Sequence, residues 1–471
     1  MRVIDAFVDS LDMEEQGIEV SVASTGRPRY DPKDQLKLYI YGYFNRIRSS
    51  RRLEIETHRN IELMWLMRKL TPDHKTIARF RKDNAEGLKK VFRAFVKLCQ
   101  MLGLYGNELL AIDGAKFTAV NSLENNFNEK KLEERLRRID EKLAGYLSEL
   151  NENDECEQDA PRHTKEEIAA AIAKLAERKQ KYEGMKSQLE ESGETQISTT
   201  DPESKRMKLA NGGSDVCYNV QTAVDSKYNL IVDYEVTNQC NDKNQLASMA
   251  KSAKEVLGVE EIATVADTGF FVASDIAECM ANGIDAHVSS EHESITMCIA
   301  VEEEEAREAK EFGNQGKNVF IRERNIGLCP MGNVLYPRSY RSSIKSAIYA
   351  NPEACRACSH RGKCREYDRE LKIKMALSEF TREYNDQGLY IRQLTYAPNK
   401  ALLRRRKEIV EHPFGTIKRQ MDSEYFLLKG MAKVSGEFAL TCLAYNLKRA
   451  INILGVSNLL EGMRMVQTMV A

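Results

Sequence analysis

LLAIDGAKFTAV, residues 109–120, opens on an apolar run that stops at an acid, Asp113, with Gly114 directly behind it. EIATVADTGF, residues 261–270, repeats the plan with Asp267, Thr268 and Gly269. Short apolar runs bounded by turn residues read as buried strands. A strand buried up to its C-terminal end presents its last side chain at the mouth of the sheet. Taken singly, an aspartate in that place caps a helix or starts a turn. Two of them on neighbouring strands can share a hard divalent cation such as Mg²⁺ or Mn²⁺, which takes oxygen ligands.

The segments around these two runs set the fold class. VCYNVQTAV (216–224) and LIVDYEVT (230–237) read as adjacent hairpin strands, and NQLASMAKSAKEVLG (244–258) as a helix leading into the Asp267 strand. SDIAECMANG (274–283) reads as a helix stopped by glycine, and DAHVSS as a last short strand. Hairpin strands followed by helix–strand alternation give an α/β fold, a mixed sheet flanked by helices. Between the first strand and the hairpin, Leu132, Leu136, Ile139, Leu143, Leu147 and Leu150 form one stripe at helical spacing. Ile168, Ile172, Leu175, Tyr182 and Leu189 form a second, beyond an acidic stretch containing Pro161. Residues 124–200 therefore read as a coiled-coil helical hairpin whose leucines are packing residues.

Residues 1–105 read as helical. In TPDHKTIARFRKDN, Thr71 suits the N-cap, Pro72 the first turn and Asp73 the helix dipole. Arg79, Arg81 and Lys82 on this short helix, which follows another helix and a turn, suggest a helix-turn-helix-like DNA reader. Many small helical bundles share that pattern. Charge adds weight: from Tyr41 to Arg93 there are 14 Lys and Arg against 6 Asp and Glu. Acid collects instead at 149–159 and 302–305, so a net charge of −1 still leaves a basic face for phosphates.

A chain of 471 residues has room for two or three domains, and 42% hydrophobic with 30% charged residues describes a globular protein. No apolar run approaches the roughly 18 residues of a membrane span. The start, MRVIDAFVDSLDMEEQG, is acidic and amphipathic, unlike a cationic leader, which points to a cytoplasmic protein with no membrane partner. The 11 cysteines then read as thiols or metal ligands. Cys329, Cys355, Cys358 and Cys364 have the residue types and the Cys-x2-Cys knuckle of a structural Zn²⁺ site, with His360 as a substitute ligand. Clustered thiols and an iron–sulfur cluster are the other readings of that spacing.

RRRKEIVEHPFGTIKRQM, residues 404–421, sets Glu411 among six cations: Arg404, Arg405, Arg406, Lys407, Lys418 and Arg419. Such a helix either packs one face and solvates the other, or holds an anionic polymer while Glu411 holds a metal ion. A third acid on a helix crossing the edge with Asp113 and Asp267 completes a two-metal site for phosphodiester chemistry. Pro413 is expected to kink the helix or start a fresh one.

AIDGAKFTAVNS, YNVQTAVDSKYNLIVDYEVTNQCND, VADTGFF and VEHPFGTIKR occur in this order. With them the chain resembles the DDE transposases of bacterial insertion sequences, in particular the group named for insertion sequence 1182. The likeness also takes in the basic N-terminal region and TTDPESKRM (199–207). It implies an RNase H-like catalytic core over 106–290, interrupted by the coiled-coil insertion. A Cys-rich insertion over 291–400 and C-terminal core helices over 401–471 follow, behind a DNA-binding domain at 1–105. It implies Asp113, Asp267 and Glu411 as the catalytic, metal-binding triad for two Mg²⁺ or Mn²⁺ ions. The Tyr, Arg, Glu, Lys signature of such enzymes falls on Arg404, Lys407, Glu411 and Lys418, so the cations would face DNA phosphates. The partners implied are double-stranded DNA, as inverted-repeat ends and as target, and a second copy of the chain on that DNA. Relatives carry a longer leader before RVIDAFVDSL, which implies a shortened or misplaced start here. A metal-dependent nuclease, an inactive DNA-binding remnant and a zinc-dependent regulator are the rival readings.

Overall fold

The computed structural model describes residues 1–20, 30–155, 163–209, 212–289, 295–300, 319–321, 326–329, 333–358, 370–375, 391–396 and 398–470. The chain begins with helices α1 (Arg2–Asp9), α2 (Pro32–Phe44), α3 (Ser50–Arg59), α4 (Ile61–Leu66), α5 (His74–Asp83) and α6 (Ala85–Met101). Asp31 caps α2 by accepting from Lys33 N, with Pro32 in the first turn. On α5 the cap is Asp73, which accepts from Lys75 N and Thr76 N. The expected cap at Thr71 is thus displaced by two residues, because an aspartate directly before the helix outcompetes a threonine held behind a proline.

Then come β1 (Leu109–Thr118), β2 (Asn126–Phe127), α7 (Glu129–Glu155), α8 (Lys165–Ser192), β3 (Ile197–Ser198), β4 (Lys205–Lys208), β5 (Ser214–Asp225) and β6 (Ile231–Thr237). α9 (Leu246–Leu257), β7 (Ile262–Ala266), α10 (Ala273–Ala281) and β8 (Ile284–Val288) complete the first sheet. β1 runs antiparallel to β5, from Leu110 opposite Asp225 to Thr118 opposite Cys217. The far edge of β5 pairs antiparallel with β4 at its start and with β6 further on. On its other side β1 runs parallel to β7, and β7 parallel to β8. The sheet is therefore mixed, as the alternation of hairpin and helix predicts.

The two long helices α7 and α8 form the expected hairpin, closed at its base by the β2–β3 pair. Thr164 and Glu167 make a capping box at the start of α8. Lys179 reaches Asp140 at 2.7 Å and Lys186 reaches Glu133 at 3.2 Å across the hairpin. Leu132, Ile139, Ile168 and Leu189 are buried, but Leu147 is 54% exposed, so the outer stripe is not all packing.

Beyond β8, residues read from sequence as irregular form strands. β9 (Ile295–Ala300) pairs with β15 (Ile391–Tyr396). β10 (Val319–Ile321), β11 (Ile326–Leu328), β12 (Val334–Arg341), β13 (Ser346–Ala350) and β14 (Leu371–Lys374) make an antiparallel five-stranded sheet. The short helix α11 (Pro352–Ala357) follows β13, and α12 (Lys400–Gly415) and α13 (Met431–Val470) close the chain. α13 is broken at Gly455, where φ is 76° and ψ 162°. It lies along α6, and Gly436 permits the contact: a Cβ there would stand 2.5 Å from Ala85 Cα.

One hydrophobic core runs through the N-terminal helices, the first sheet, α12 and α13. Its aromatic spine fixes α12 on the sheet. Phe117 of β1 packs on Phe414, Phe426 and Phe438 with ring centroids 6.3, 5.8 and 5.2 Å away. Phe438 continues to Tyr234, and Tyr234 to Phe92 of α6. No helix among the described residues is long and apolar enough to cross a membrane. Because Phe117 is buried and joins β1 to three later elements, Phe117→Ala is expected to lower unfolding free energy by about 3–5 kcal/mol in urea titrations.

Candidate active site

β1 is buried over Leu109–Ile112 and half-buried from Asp113 to Lys116. The reason is pairing: β7 accompanies β1 only over Leu109–Ala111. From Ile112 onward the β7 side of β1 lies open until Thr118, which bridges to Tyr425. Asp113 therefore stands where the sheet opens, and Asp267 directly follows the last residue of the neighbouring parallel strand. Asp267 also caps a one-turn 3₁₀ helix, Thr268–Phe270, by accepting from Gly269 N at 2.9 Å. The capping role and a place at the sheet mouth are thus compatible in one residue.

α12 crosses this edge. Asn399 caps it by accepting from Ala401 N and Leu402 N, and Ile409, Val410, Pro413 and Phe414 are its buried side. Pro413 neither ends the helix nor starts a new one. The helix runs to Gly415 and passes into a π-turn, Thr416–Gln420, the kind of widened turn in which displaced backbone bonds are accommodated. Glu411 is exposed and, with Asp113, lines a cleft of about 1300 Å³ whose wall also carries Lys116, Lys208, Lys418 and Arg419. Asp267 does not line that cleft.

Arg406 is the cation nearest Asp113, its Nη1 3.7 Å from Oδ1. Burial pushes the Asp113 carboxyl up to about 6, Arg406 opposes that, and the charges of Asp267 and Asp242 add to it. Arg404 and Lys407 are exposed. Lys418 is half-buried: its Nζ donates to Lys116 O at 2.9 Å and lies over the Phe117 ring at 4.7 Å. Burial holds its pKa below the usual lysine value. His412, beside Glu411, turns away from the cleft. Its Nδ1 is 2.9 Å from the Tyr445 hydroxyl, and its Nε2 is 3.4 Å from Arg449 Nη1.

The other sequence candidates divide. In α5, Lys82 is exposed and Arg79 is exposed beside Asp83 at 3.2 Å. Arg81 is turned inward: it donates to Tyr43 Oη at 2.8 Å and to Arg48 O at 3.3 Å, 3.9 Å from the buried Glu437. That guanidinium serves the core rather than the surface. Of the cysteine cluster, Cys329, Cys355 and Cys358 are half-buried, and Cys364 lies outside the described residues. Among the described residues no group of three His, Cys, Asp or Glu side chains is placed to hold a metal ion. Zinc is therefore not supported. At the carboxylates the donor chemistry suits a hard cation, while the side chains are not gathered into a coordination shell.

Two neighbours of the site were not singled out in the sequence. Arg406 is one basic residue in a run of four, and only the helix phase distinguishes it. Asp242 lies in the loop between β6 and α9, within the quoted NQCND. Gly114 was its signal: a Cβ there would stand 2.4 Å from Asp242 Oδ1.

Residues 1–83 match a family described as Transposase domain (DUF772), and residues 328–451 match one described as Transposase DDE domain. Glu411 falls inside the second match, whereas Asp113 and Asp267 lie between the two. These matches support a DDE transposase. No curated protein matches the chain. Among solved structures, a piggyBac transposase synaptic complex with hairpin DNA aligns with 99% of this chain and 77% of its own at 11% identity. Its TM-score of 0.30 is too low to carry an argument.

The Asp113 shift has a definite sign. A carboxyl raised from 3.8 to about 6 binds a proton in the folded chain that the unfolded chain has already lost. Between those values the Asp113 contribution to the stability of the metal-free fold grows as pH falls, and a metal ion must displace the proton. Mn²⁺ affinity, followed by the electron-spin-resonance signal of the free ion, is expected to drop as pH falls through about 6. Asp113→Asn is expected to remove that pH dependence together with the affinity.

Proposed function

We propose that this chain is a transposase of the insertion sequence 1182 group. In this reading it binds the terminal inverted repeats of its own element, cleaves a DNA strand at each end, and joins the freed 3′-hydroxyl to target DNA. The observation that carries it is the strand order β6-β5-β1-β7-β8, with Asp113 where β1 loses its parallel neighbour, Asp267 just past the end of that neighbour, and α12 laid across them. That order, antiparallel on one side of β1 and parallel on the other, is the order of an RNase H-like core. The α7–α8 hairpin and the strands from 319 to 374 would then be insertions into it.

Each residue has work in this scheme. Asp113 and Asp267 bring two carboxylates to the open edge of β1, and Glu411 brings a third on α12 from across the cleft. When bound, Mg²⁺ or Mn²⁺ would activate the attacking oxygen and stabilise the leaving one. Arg406 offsets the Asp113 charge in the metal-free chain. Arg404, Lys407 and Arg419 are exposed cations suited to the phosphates on either side of the scissile bond. Lys418 holds the β1 backbone at Lys116, so it acts from the wall of the cleft. The N-terminal helices would bind the repeat ends through exposed Arg79 and Lys82, and two chains would act on the two ends together.

The test is cleavage of DNA carrying the natural flanks of this gene, with Mg²⁺ or Mn²⁺, by wild type and Asp113→Asn. Fixed 3′ ends and joined products from the wild type, lost by at least 10²-fold in the variant, are expected; a factor of that order accompanies loss of one charge-stabilising group. Fixed cuts without joined products would leave a nuclease. End-specific binding without cuts in either protein would leave an inactive remnant or a regulator.

A further inference from the structure

We propose that Asp242 is a fourth carboxylate of this site and a ligand for its divalent cation, an inference that rests on the proposed function of Asp113 and Asp267. Asp242 Oδ1 accepts from Asn219 Nδ2 at 2.8 Å and from Gln221 Nε2 at 2.7 Å. Both amides belong to β5 and are almost wholly buried, at 1% and 0% exposure. Gln221 stands opposite Gly114 in the β1–β5 ladder. The carboxylate is thereby laid over Gly114, so close that no side chain could stand there. Its other oxygen faces the second strand end. A Cβ on Gly269 would lie 3.6 Å from Asp242 Oδ2 and 3.0 Å from Asp267 Oδ1.

Asp242 therefore reaches from Gly114, next to Asp113 on β1, to Gly269, just past the end of β7, the two places that carry the aspartates read from sequence. Two amides orient Oδ1, and Oδ2 accepts no hydrogen bond among the described residues. A second feature points to a ligand. Gln221 Oε1 is buried and without a hydrogen-bond partner, and it lies 2.8 Å from the same Cβ point above Gly114. A buried carbonyl oxygen without a donor is costly. Water bound to a cation held by the adjoining carboxylates is a donor of the right kind. Side chains alternate along β1, so Asp113 and Gly114 face opposite sides of the strand. The charge of Asp242 bears on Asp113 all the same.

The experiment titrates Mn²⁺ into the full chain and reads the free ion by electron spin resonance, for wild type, Asp242→Asn and Asp113→Asn. Thermal unfolding in EDTA accompanies each. Asn keeps the acceptor for both amides, so the metal-free melting temperature of Asp242→Asn should stay near wild type. Its Mn²⁺ affinity should fall about tenfold or more, the scale of losing a metal-orienting group. Affinity within twofold of wild type would overturn the inference. Asp113→Asn judges the underlying reading separately: unchanged Mn²⁺ binding there would remove the two-aspartate site whatever Asp242→Asn does. If Asp242→Asn does not fold, Gln221→Met replaces it, removing one of the two amides at similar volume. A fall of about threefold supports the inference, and no change overturns it.

Discussion

The site depends on how β1 is paired. Over its first residues β1 lies between two strands, and there it is apolar and buried. Where β7 ends, β1 continues with only β5 beside it, and the burial falls at Asp113. One strand thus anchors itself in the core and offers an unpaired edge within the same ten residues. An acid at the transition is partly desolvated and still reachable, which is why its pKa rises while it remains able to meet a ligand. Asp267 shares the place because β7 is parallel to β1 and stops beside it. Antiparallel pairing would have put the two chain ends on opposite sides of the sheet.

The sequence carried this part of the fold legibly. Apolar run, acid, small residue is a local pattern, and both occurrences are strands; β7 ends just before its acid as expected, whereas β1 runs on past Asp113 to Thr118 because β5 continues to pair with it. The hairpin strands, α9, α10 and the α7–α8 pair were equally legible, because each has a period of its own. What was not legible depends on neighbours. Leu147 keeps the helical stripe but faces solvent while Ile168, nearer the tip of the hairpin, is buried, so period alone misjudged it. The strands between 319 and 374 are short, some alternate poorly, and they pair only with one another. Arg81 has the residue type of a DNA contact, yet Tyr43 and the Arg48 carbonyl hold it inward. No feature of RFRKDN distinguishes it from Arg79 without knowing which side of α5 meets the core.

The third acid shows the same division. Glu411 stands out in the sequence because it is one acid amid cations. Its place in space is set elsewhere, by Phe414 packing on Phe117 three residues later. Pro413 between them removes one backbone donor. The π-turn that follows shifts the register of the last helical residues, so Lys418 comes down on the β1 backbone and Ile417 stays buried. The chain is thereby tied to β1 just past the proline, by aromatic contact before the π-turn and by a hydrogen bond within it.

The carboxylates and the cations of the cleft are thus held by different means. Asp113 is held within β1 and Asp267 just past the end of β7, and each accepts a hydrogen bond from a nearby glycine N–H. Arg404 and Lys407 on α12 and Arg419 in the π-turn behind it are exposed. Lys418 is the exception, a half-buried cation tied to β1 by its hydrogen bond to Lys116 O. A lysine so placed steadies the edge of β1 just past the acid. That edge has no strand partner from Ile112 to Phe117, and it is the stretch where added rigidity does most for the geometry of the site.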